Sequence, residues 1–255
     1  MEEYVSQCKQ DKFVDFLFNK KQHKVFLDIG AHDGISFSNT YFFEKYRNWT
    51  GICIEPNPDV FIKLQKNRSC ILENCCISDE DKTVTFRKVE GDPEREMLSG
   101  ILDFFDQGHI NMIDTEIKLY GGKYTDIPID SKNINEILLK HHIPHIDYCS
   151  IDTEGAEYLI IKSIDFNVID ITIFTIENNN NNNNKKVREF LKEKDYYCIP
   201  GGQHDDFFIK KGTLPILPFF FITKLYGFSS FITMIFKIMM RKMALLMKKR
   251  ALREN

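Results

Sequence analysis

Short apolar runs alternate with amphipathic stretches along most of this chain. Residues 5–20 place Val5, Phe13, Val14, Phe16, Leu17 and Phe18 among charges, which predicts an amphipathic leading helix. Residues 24–30 read as a buried strand ending in a turn, and 36–46 as an aromatic-rich helix. A second strand is predicted over 49–56 and a helix over 58–67, with Asn57 as N-cap and Pro58 in the first position. Residues 69–77 read as one strand and 83–88 as another. The stretch 90–124, with glycines scattered through it, reads as an irregular insertion or lid. Beyond it the pattern predicts helices over 134–142, 156–163 and 185–194, with strands over 146–152, 169–177 and 206–210. Strands alternating with helices predict an α/β fold whose parallel sheet is covered by helices on both faces. The asparagine run 178–184 predicts a solvated loop.

Charge divides the chain. From Gly212 onward eight basic side chains stand against Glu254, a formal +7, which leaves −10 on residues 1–211 of a whole-chain −3. An acidic body argues against nucleic acid as a partner. The tail, residues 212–255, is strongly apolar before its basic end, although Lys224 interrupts it and Pro215 and Pro218 open it. We expect an apolar helical tail, appended to a 1–211 domain, that lies at an anionic membrane interface through residues 214–253. Packing on the body, oligomerisation and a true membrane span are the weaker alternatives. None of the seven cysteines forms a C-x-x-C pair, and no apolar run follows Met1-Glu2-Glu3. A reducing cytoplasmic or viral-factory setting is therefore expected.

The chemistry-bearing residues gather at strand ends. Val25-Phe26-Leu27-Asp28-Ile29-Gly30-Ala31-His32-Asp33-Gly34 is a buried strand feeding a tight turn, where Gly30 and Gly34 would let backbone approach a ligand. The spacing is G-x-x-x-G, so the dinucleotide fingerprint fails at its second glycine, which disfavours a nicotinamide oxidoreductase. Glu55 ends the next strand, where an acid can accept both ribose hydroxyls of an adenosine ligand. Ser78 and Asp79 follow the third strand and could address an adenine edge.

These segments resemble the glycine turn of class I S-adenosylmethionine-dependent methyltransferases. Ile54-Glu55-Pro56-Asn57-Pro58 and Ile151-Asp152-Thr153-Glu154-Gly155-Ala156-Glu157 narrow the resemblance to the FkbM-type family, over about residues 25–211. His32 stands where that family usually has Asn, and Ser150 where Lys commonly precedes Ile-Asp. The resemblance implies a Rossmann-like sheet and S-adenosylmethionine as cofactor. Its implied binding residues are Asp28, Gly30, His32, Gly34, Glu55, Ser78 and Asp79. It also implies a hydroxyl acceptor on a small molecule, sugar or lipid-like scaffold. A catalytically silent cofactor-binding module is the alternative.

Ligands in an open parallel sheet bind beyond the carboxyl ends of the strands. Asp152, Glu154 and Glu177 therefore converge in expectation on the acceptor, with one of them as base, while Glu157 caps or pairs locally. His109, in the insertion, is a secondary candidate. No metal site is expected. His141, His142 and His145 read as a solvated helix end, and His204-Asp205-Asp206 as the structural entry to the last strand.

Overall fold

The structure, a computed structural model, describes residues 2–178, 182–201 and 205–213. Helix α1 (Gln10–Leu17) precedes β1 (Val25–Ile29), α2 (Tyr41–Arg47), β2 (Thr50–Ile54), α3 (Pro58–Asn67) and β3 (Ile71–Glu73). A second group follows: β4 (Cys76–Ser78), β5 (Lys82–Glu90), α4 (Pro93–Glu96), β6 (Gly100–Ile101), α5 (Gln107–Tyr120) and β7 (Lys123–Asn133). Then come α6 (Ile134–Lys140), β8 (His145–Ile151), α7 (Glu157–Ser163), β9 (Asp170–Ile176), α8 (Asn182–Glu193), β10 (Tyr196–Ile199) and β11 (Asp206–Lys210).

The result is a mixed α/β fold. Seven strands form the main sheet in the order β10-β11-β9-β8-β1-β2-β3. Strands β9, β8, β1, β2 and β3 run parallel, whereas β11 is antiparallel to β9 and β10 in turn antiparallel to β11. The chain starts at β1, walks outward to β3, and returns to place β8 on the other side of β1. Strand order therefore reverses between β1 and β8, which opens a crevice at their carboxyl ends. Leu27, Ile29, Ile146, Cys149, Ile151, Ile171 and Phe174 are buried in these central strands. Strands covered on both faces read as continuous apolar runs, which is why they were legible.

Several expectations are corrected. The wholly parallel sheet is parallel only as far as β9. The strand expected over 69–77 divides between two sheets. Asn74 turns the chain there, its Nδ2 donating to the Glu55 carbonyl at 2.7 Å and the Pro56 carbonyl at 3.1 Å. The helix expected over 36–46 is confined to Tyr41–Arg47, because the Asp33 carboxylate holds the preceding segment in turns. The stretch 90–124 is more ordered than expected: it carries α4, β6 and α5, with Asp106 capping α5 through the His109 N–H at 2.8 Å.

Residues 123–133 form an unexpected long strand, β7, in a second sheet ordered β4-β7-β5-β6. Asparagines 182–184 begin α8 instead of lying in a solvated loop, and Asn178 and Asn184 are buried. Nδ2 of Asn184 donates to the Glu177 carbonyl at 3.1 Å, so the carboxyl end of β9 supplies the partner the run was expected to find in water.

The leading helix is shorter than expected and firmly attached. Arg47 grips the buried Asp15 with two parallel bonds, Nε to Oδ1 at 2.7 Å and Nη2 to Oδ2 at 2.8 Å. The tail expectation, residues 214–253, lies outside the described residues. No helix among the described residues is long and apolar enough to cross a membrane.

Candidate active site

Strand β1 ends at Ile29, and the following turn reverses the chain through three left-handed residues: Gly30 (φ 87°), His32 (φ 48°) and Gly34 (φ 81°). The N–H groups of Gly30 and Ala31 both donate to the Ile54 carbonyl at 3.0 Å, tying the turn to β2. Asp33 accepts from the N–H groups of Ile35 and Ser36 at 2.9 and 2.7 Å. Burial pushes this carboxyl up, but neighbouring His32 and these donors outweigh it and hold Asp33 well below the usual carboxylate range. The two glycines do different work. A Cβ on Gly30 would fall 1.7 Å from the Asp152 carbonyl oxygen, so β1 and β8 can end side by side only without one. A Cβ on Gly34 would instead meet side-chain atoms of Arg68 and Leu64 on the α3 side, at 2.6 Å each.

Asp28 is buried one strand-step before the turn. Its Oδ2 accepts from the Thr40 hydroxyl at 2.5 Å, and Arg68 donates to that hydroxyl at 3.0 Å. Burial pushes the Asp28 carboxyl up, with Arg68 opposing. Glu55 follows β2 and is also buried. Its two oxygens accept from the Asn57 N–H at 2.7 Å and the His32 N–H at 2.9 Å. Burial pushes Glu55 up to about 7, and those donors restrain the shift. The His32 ring is buried without completing a hydrogen bond: Nε2 lies 3.5 Å from Glu96 Oε2 and Nδ1 3.8 Å from Asp33 Oδ1.

Across the crevice, Asp152 follows β8 and donates its N–H to the Ile29 carbonyl at 3.0 Å. Glu177 follows β9 and bonds the Ile151 carbonyl in the same way, also at 3.0 Å. Between them the chain turns through Glu154 (φ 56°) and Gly155 (φ 121°). Glu157 shapes this turn: its Oε1 accepts from the Thr153 N–H (3.2 Å), the Thr153 hydroxyl (2.9 Å) and the Gly155 N–H (2.9 Å). The local capping expected of Glu157 is what its side chain does.

One oxygen each of Asp152, Glu154 and Glu177 lies within 4.8 Å of the other two. Three carboxylates so close oppose one another's ionisation. Asp152 opens onto the cavity yet is walled by protein. Burial, then Asp205, Glu157 and Asp28, push it up to about 8, while a hydrogen bond with Glu177 opposes. Burial, then Asp152 and Glu157, push Glu154 well above its ordinary value. In geometry the trio could also hold a metal ion, a reading the sequence did not suggest.

His109 sits beside them. Its Nε2 meets the Leu98 carbonyl at 3.0 Å, and a carbonyl only accepts, so the proton is on Nε2. Nδ1 then faces Glu154 Oε2 at 3.4 Å. Burial pushes the imidazole down and the carboxyl up, so a neutral ring beside a protonated Glu154 is the matched pair.

A cavity of about 470 Å³ runs from the glycine turn to this trio, a volume suited to a small organic ligand. A smaller cavity adjoins it beside Glu55, Cys75, Cys76 and Ile77. Gly30, His32, Met97 and Asp152 line both, so Asp152 stands at the junction. Asp28, Glu154 and Glu177 line the larger cavity and Glu55 the smaller, which brings most expected site residues together.

Three expected residues lie elsewhere. Gly34 lines neither cavity. The Ser78 hydroxyl is buried against the Ser131 hydroxyl at 2.7 Å, and Asp79 is exposed, 3.6 Å from Lys82. Cys75, Cys76 and Ile77, just before them, occupy the wall instead. Two residues of the histidine cluster are hydrogen-bonded to carboxylates as well as near solvent: His141 meets Glu73 at 2.7 Å and His145 meets Asp170 at 2.8 Å.

Sequence reasoning passed over Gln10 and Asn39, and gave Asp205 a structural role only. Buried Gln10 donates to Asp205 Oδ2 at 2.9 Å, and both line the cavity. Asn39 donates to the Ser150 hydroxyl at 3.0 Å in its floor. Asp205 is thus a wall residue as well as an entry to β11, while His204 lies outside the described residues.

A crevice at a strand-order reversal, with a glycine turn on one lip and carboxylates on the other, is where open α/β sheets bind their ligands. Residues 28–198 match the methyltransferase FkbM domain, about two thirds of the chain, and the protein belongs to that family of methyltransferases. No curated protein matches the chain. Gln10 and Asp205 lie outside the matched span, although both line the cavity.

Proposed function

We propose that this methyltransferase uses S-adenosylmethionine on a Rossmann-like class I sheet. In this reading it methylates a hydroxyl of a small molecule, sugar or lipid-like acceptor. The observation that carries the reading is the position of Asp152. It touches the glycine turn through its backbone, lines both cavities, and sits within reach of Glu154 and Glu177.

The residues present fit this cofactor. Glu55, at the end of β2, offers buried carboxylate oxygens to ribose hydroxyls, and the absent side chain at Gly30 keeps the crevice open. Asp28, Gly30 and His32 would border the amino-acid end, with Cys75, Cys76 and Ile77 against the base. The cofactor supplies an activated methyl group on a sulfonium. The protein aligns the acceptor oxygen and receives one proton. On transfer the acceptor hydroxyl would give up its proton, and a carboxylate of the trio would receive it. Asp152 is our choice of base, because it stands where the two cavities meet and its carboxyl, pushed up by burial and neighbouring carboxylates, can exchange a proton near neutral pH. Glu154 and Glu177 flank it.

Transfer of a labelled methyl group tests the proposal. The full chain, incubated with methyl-labelled S-adenosylmethionine and fractionated sugars and lipids, should place base-stable label on one acceptor class as a methyl ether. Base-labile label, or label on nitrogen, would overturn the assignment to hydroxyl oxygen.

A further inference from the structure

His109 stands behind the carboxylate trio. It belongs to α5 and lines neither cavity, whereas Glu154 lines the larger one. The chain before His109 lies directly against the Glu154 turn, and two glycines make that approach possible. A Cβ on Gly100 would meet the Phe105 ring at 2.6 Å and Glu154 Cβ at 3.4 Å. A Cβ on Gly155 would fall 2.8 Å from the Phe104 carbonyl oxygen. The turn itself is held in place from the other side by Glu157, with Glu154 in a left-handed conformation (φ 56°) that a long side chain rarely adopts.

Three contacts fix the imidazole. The Leu98 carbonyl accepts the Nε2 proton at 3.0 Å, the Phe105 ring packs 4.1 Å away between centres, and Glu154 Oε2 stands 3.4 Å from Nδ1. A neutral ring with its proton on Nε2 has only a lone pair at Nδ1. An ionised carboxylate offers only lone pairs as well, so this contact is attractive only with the carboxyl proton on Oε2. The titratable groups facing the pair are acids: Asp106 at the start of α5, Asp152 after β8, Glu157 on α7 and Glu177 after β9. Such neighbours oppose ionisation of Glu154. They also favour an imidazolium, but burial outweighs them and pushes His109 down.

We infer that His109 is a positioning residue of the methyl-transfer site: its Nδ1 accepts the Glu154 carboxyl proton and so holds Glu154 as the uncharged, oriented member of the trio. The inference rests on the cavity being that site, and it divides the work among the three acids. Glu154 is engaged by His109 and is withdrawn as the base, which leaves that role to Asp152. The second oxygen of Glu154 remains an acceptor for a hydroxyl in the cavity, and it adds no charge beside Asp152. The segment from Leu98 to His109 thereby acts on the chemistry from outside the cavity, through Glu154.

Nitrogen NMR reads this arrangement without any substrate. In the full chain labelled with ¹⁵N-histidine, two-bond nitrogen–proton correlations at neutral pH report the protonation of each ring, and His109→Gln identifies the His109 signals. We expect a neutral His109 protonated on Nε2, with its Nδ1 resonance displaced from the position of a free lone pair by the hydrogen bond. Glu154→Gln puts an amide N–H in place of the carboxyl donor and should keep both the tautomer and the displacement. Glu154→Met fills the same space without a donor, and should return Nδ1 to the free position while the Leu98 contact keeps the proton on Nε2. A merely structural His109, tethered through Leu98 alone, would give the same Nδ1 signal in all three proteins.

An imidazolium, a proton on Nδ1, or an Nδ1 signal that Glu154→Met leaves unmoved overturns the inference. The spectra are recorded without S-adenosylmethionine, so failure of the cofactor reading would leave them unchanged, and the two failures are separable.

Discussion

Gly30 and Asp152 meet backbone to backbone: a Cβ on Gly30 would lie 1.7 Å from the Asp152 carbonyl oxygen. That contact joins the cofactor lip to the acceptor lip. Gly30→Ala must either move the β8 end or leave its φ of 87°, and both disturb the site. We expect a loss of about 2–5 kcal/mol in urea unfolding, from strain and overpacking together. Gly34→Ala should lose less, because the atoms it meets belong to the side chains of Arg68 and Leu64. A Gly30→Ala protein as stable as the Gly34→Ala protein would show that the contact is relieved cheaply.

Glu55 carries the ribose assignment. Glu55→Ala should weaken S-adenosylmethionine by about 1–3 kcal/mol, the scale of a charge-assisted bond pair. Because Glu55 is pushed up to about 7, and hydroxyls donate best to its ionised form, affinity in the parent protein should strengthen as pH rises through 7. Glu55→Gln should flatten that dependence. A folded Glu55→Ala protein with unchanged affinity removes the assignment.

Asp152 sets the pH dependence of turnover. Its carboxyl must lose a proton to act as base, so kcat/KM should rise with pH and level off above about 8. Asp152→Asn should lower turnover by about 10²–10⁴-fold with cofactor affinity largely kept. Stability moves the other way. An unfolded aspartate ionises near 4, whereas the folded one holds its proton up to about 8. The folded state therefore binds more protons in that window, and stability falls as pH rises across it. Asp152→Asn should reduce this slope; an unchanged slope, seen in chemical unfolding at several pH values, would count against the shift.

Glu157 acts through the turn that carries Glu154. Glu157→Ala removes three hydrogen bonds to that turn, and misplacement of this order lowers kcat by about 10²-fold. The affinity for S-adenosylmethionine should be nearly kept. If affinity falls as much as kcat does, the residue supports the whole crevice and not this turn alone.

Much of this was legible in the sequence because burial leaves a simple mark. The central strands are continuous apolar runs, the β11 bounds Asp206–Lys210 coincide with those expected, and Asn57-Pro58 caps α3 as its residue types require, Asn57 Oδ1 accepting from Asp59 N at 3.1 Å. Strand β7 was illegible for the opposite reason. Much of its first half faces solvent, so charges replace the apolar alternation, and Pro128 argues against a strand. The cavity roles of Gln10 and Asp205 were missed because they rest on a contact across 195 residues, which no local pattern records. Ser78 and Asp79 were placed one turn too late, since Asn74 redirects the chain before them.

The tail remains a proposal from composition. Its basic end should draw the full chain to anionic vesicles in flotation, with salt weakening the binding. Replacing Lys248, Lys249 and Arg250 with glutamate should abolish flotation on anionic vesicles. Flotation that ignores these substitutions rules out the electrostatic part of the proposal.

The central claim, a cofactor crevice between Glu55 and Asp152, is tested most directly by calorimetric titration of the full chain with S-adenosylmethionine, S-adenosylhomocysteine and NAD. The account predicts one-to-one binding of the first two in mutual competition, and no binding of NAD. Absence of binding by both S-adenosyl compounds to the folded protein, or displacement of either by NAD, would contradict it.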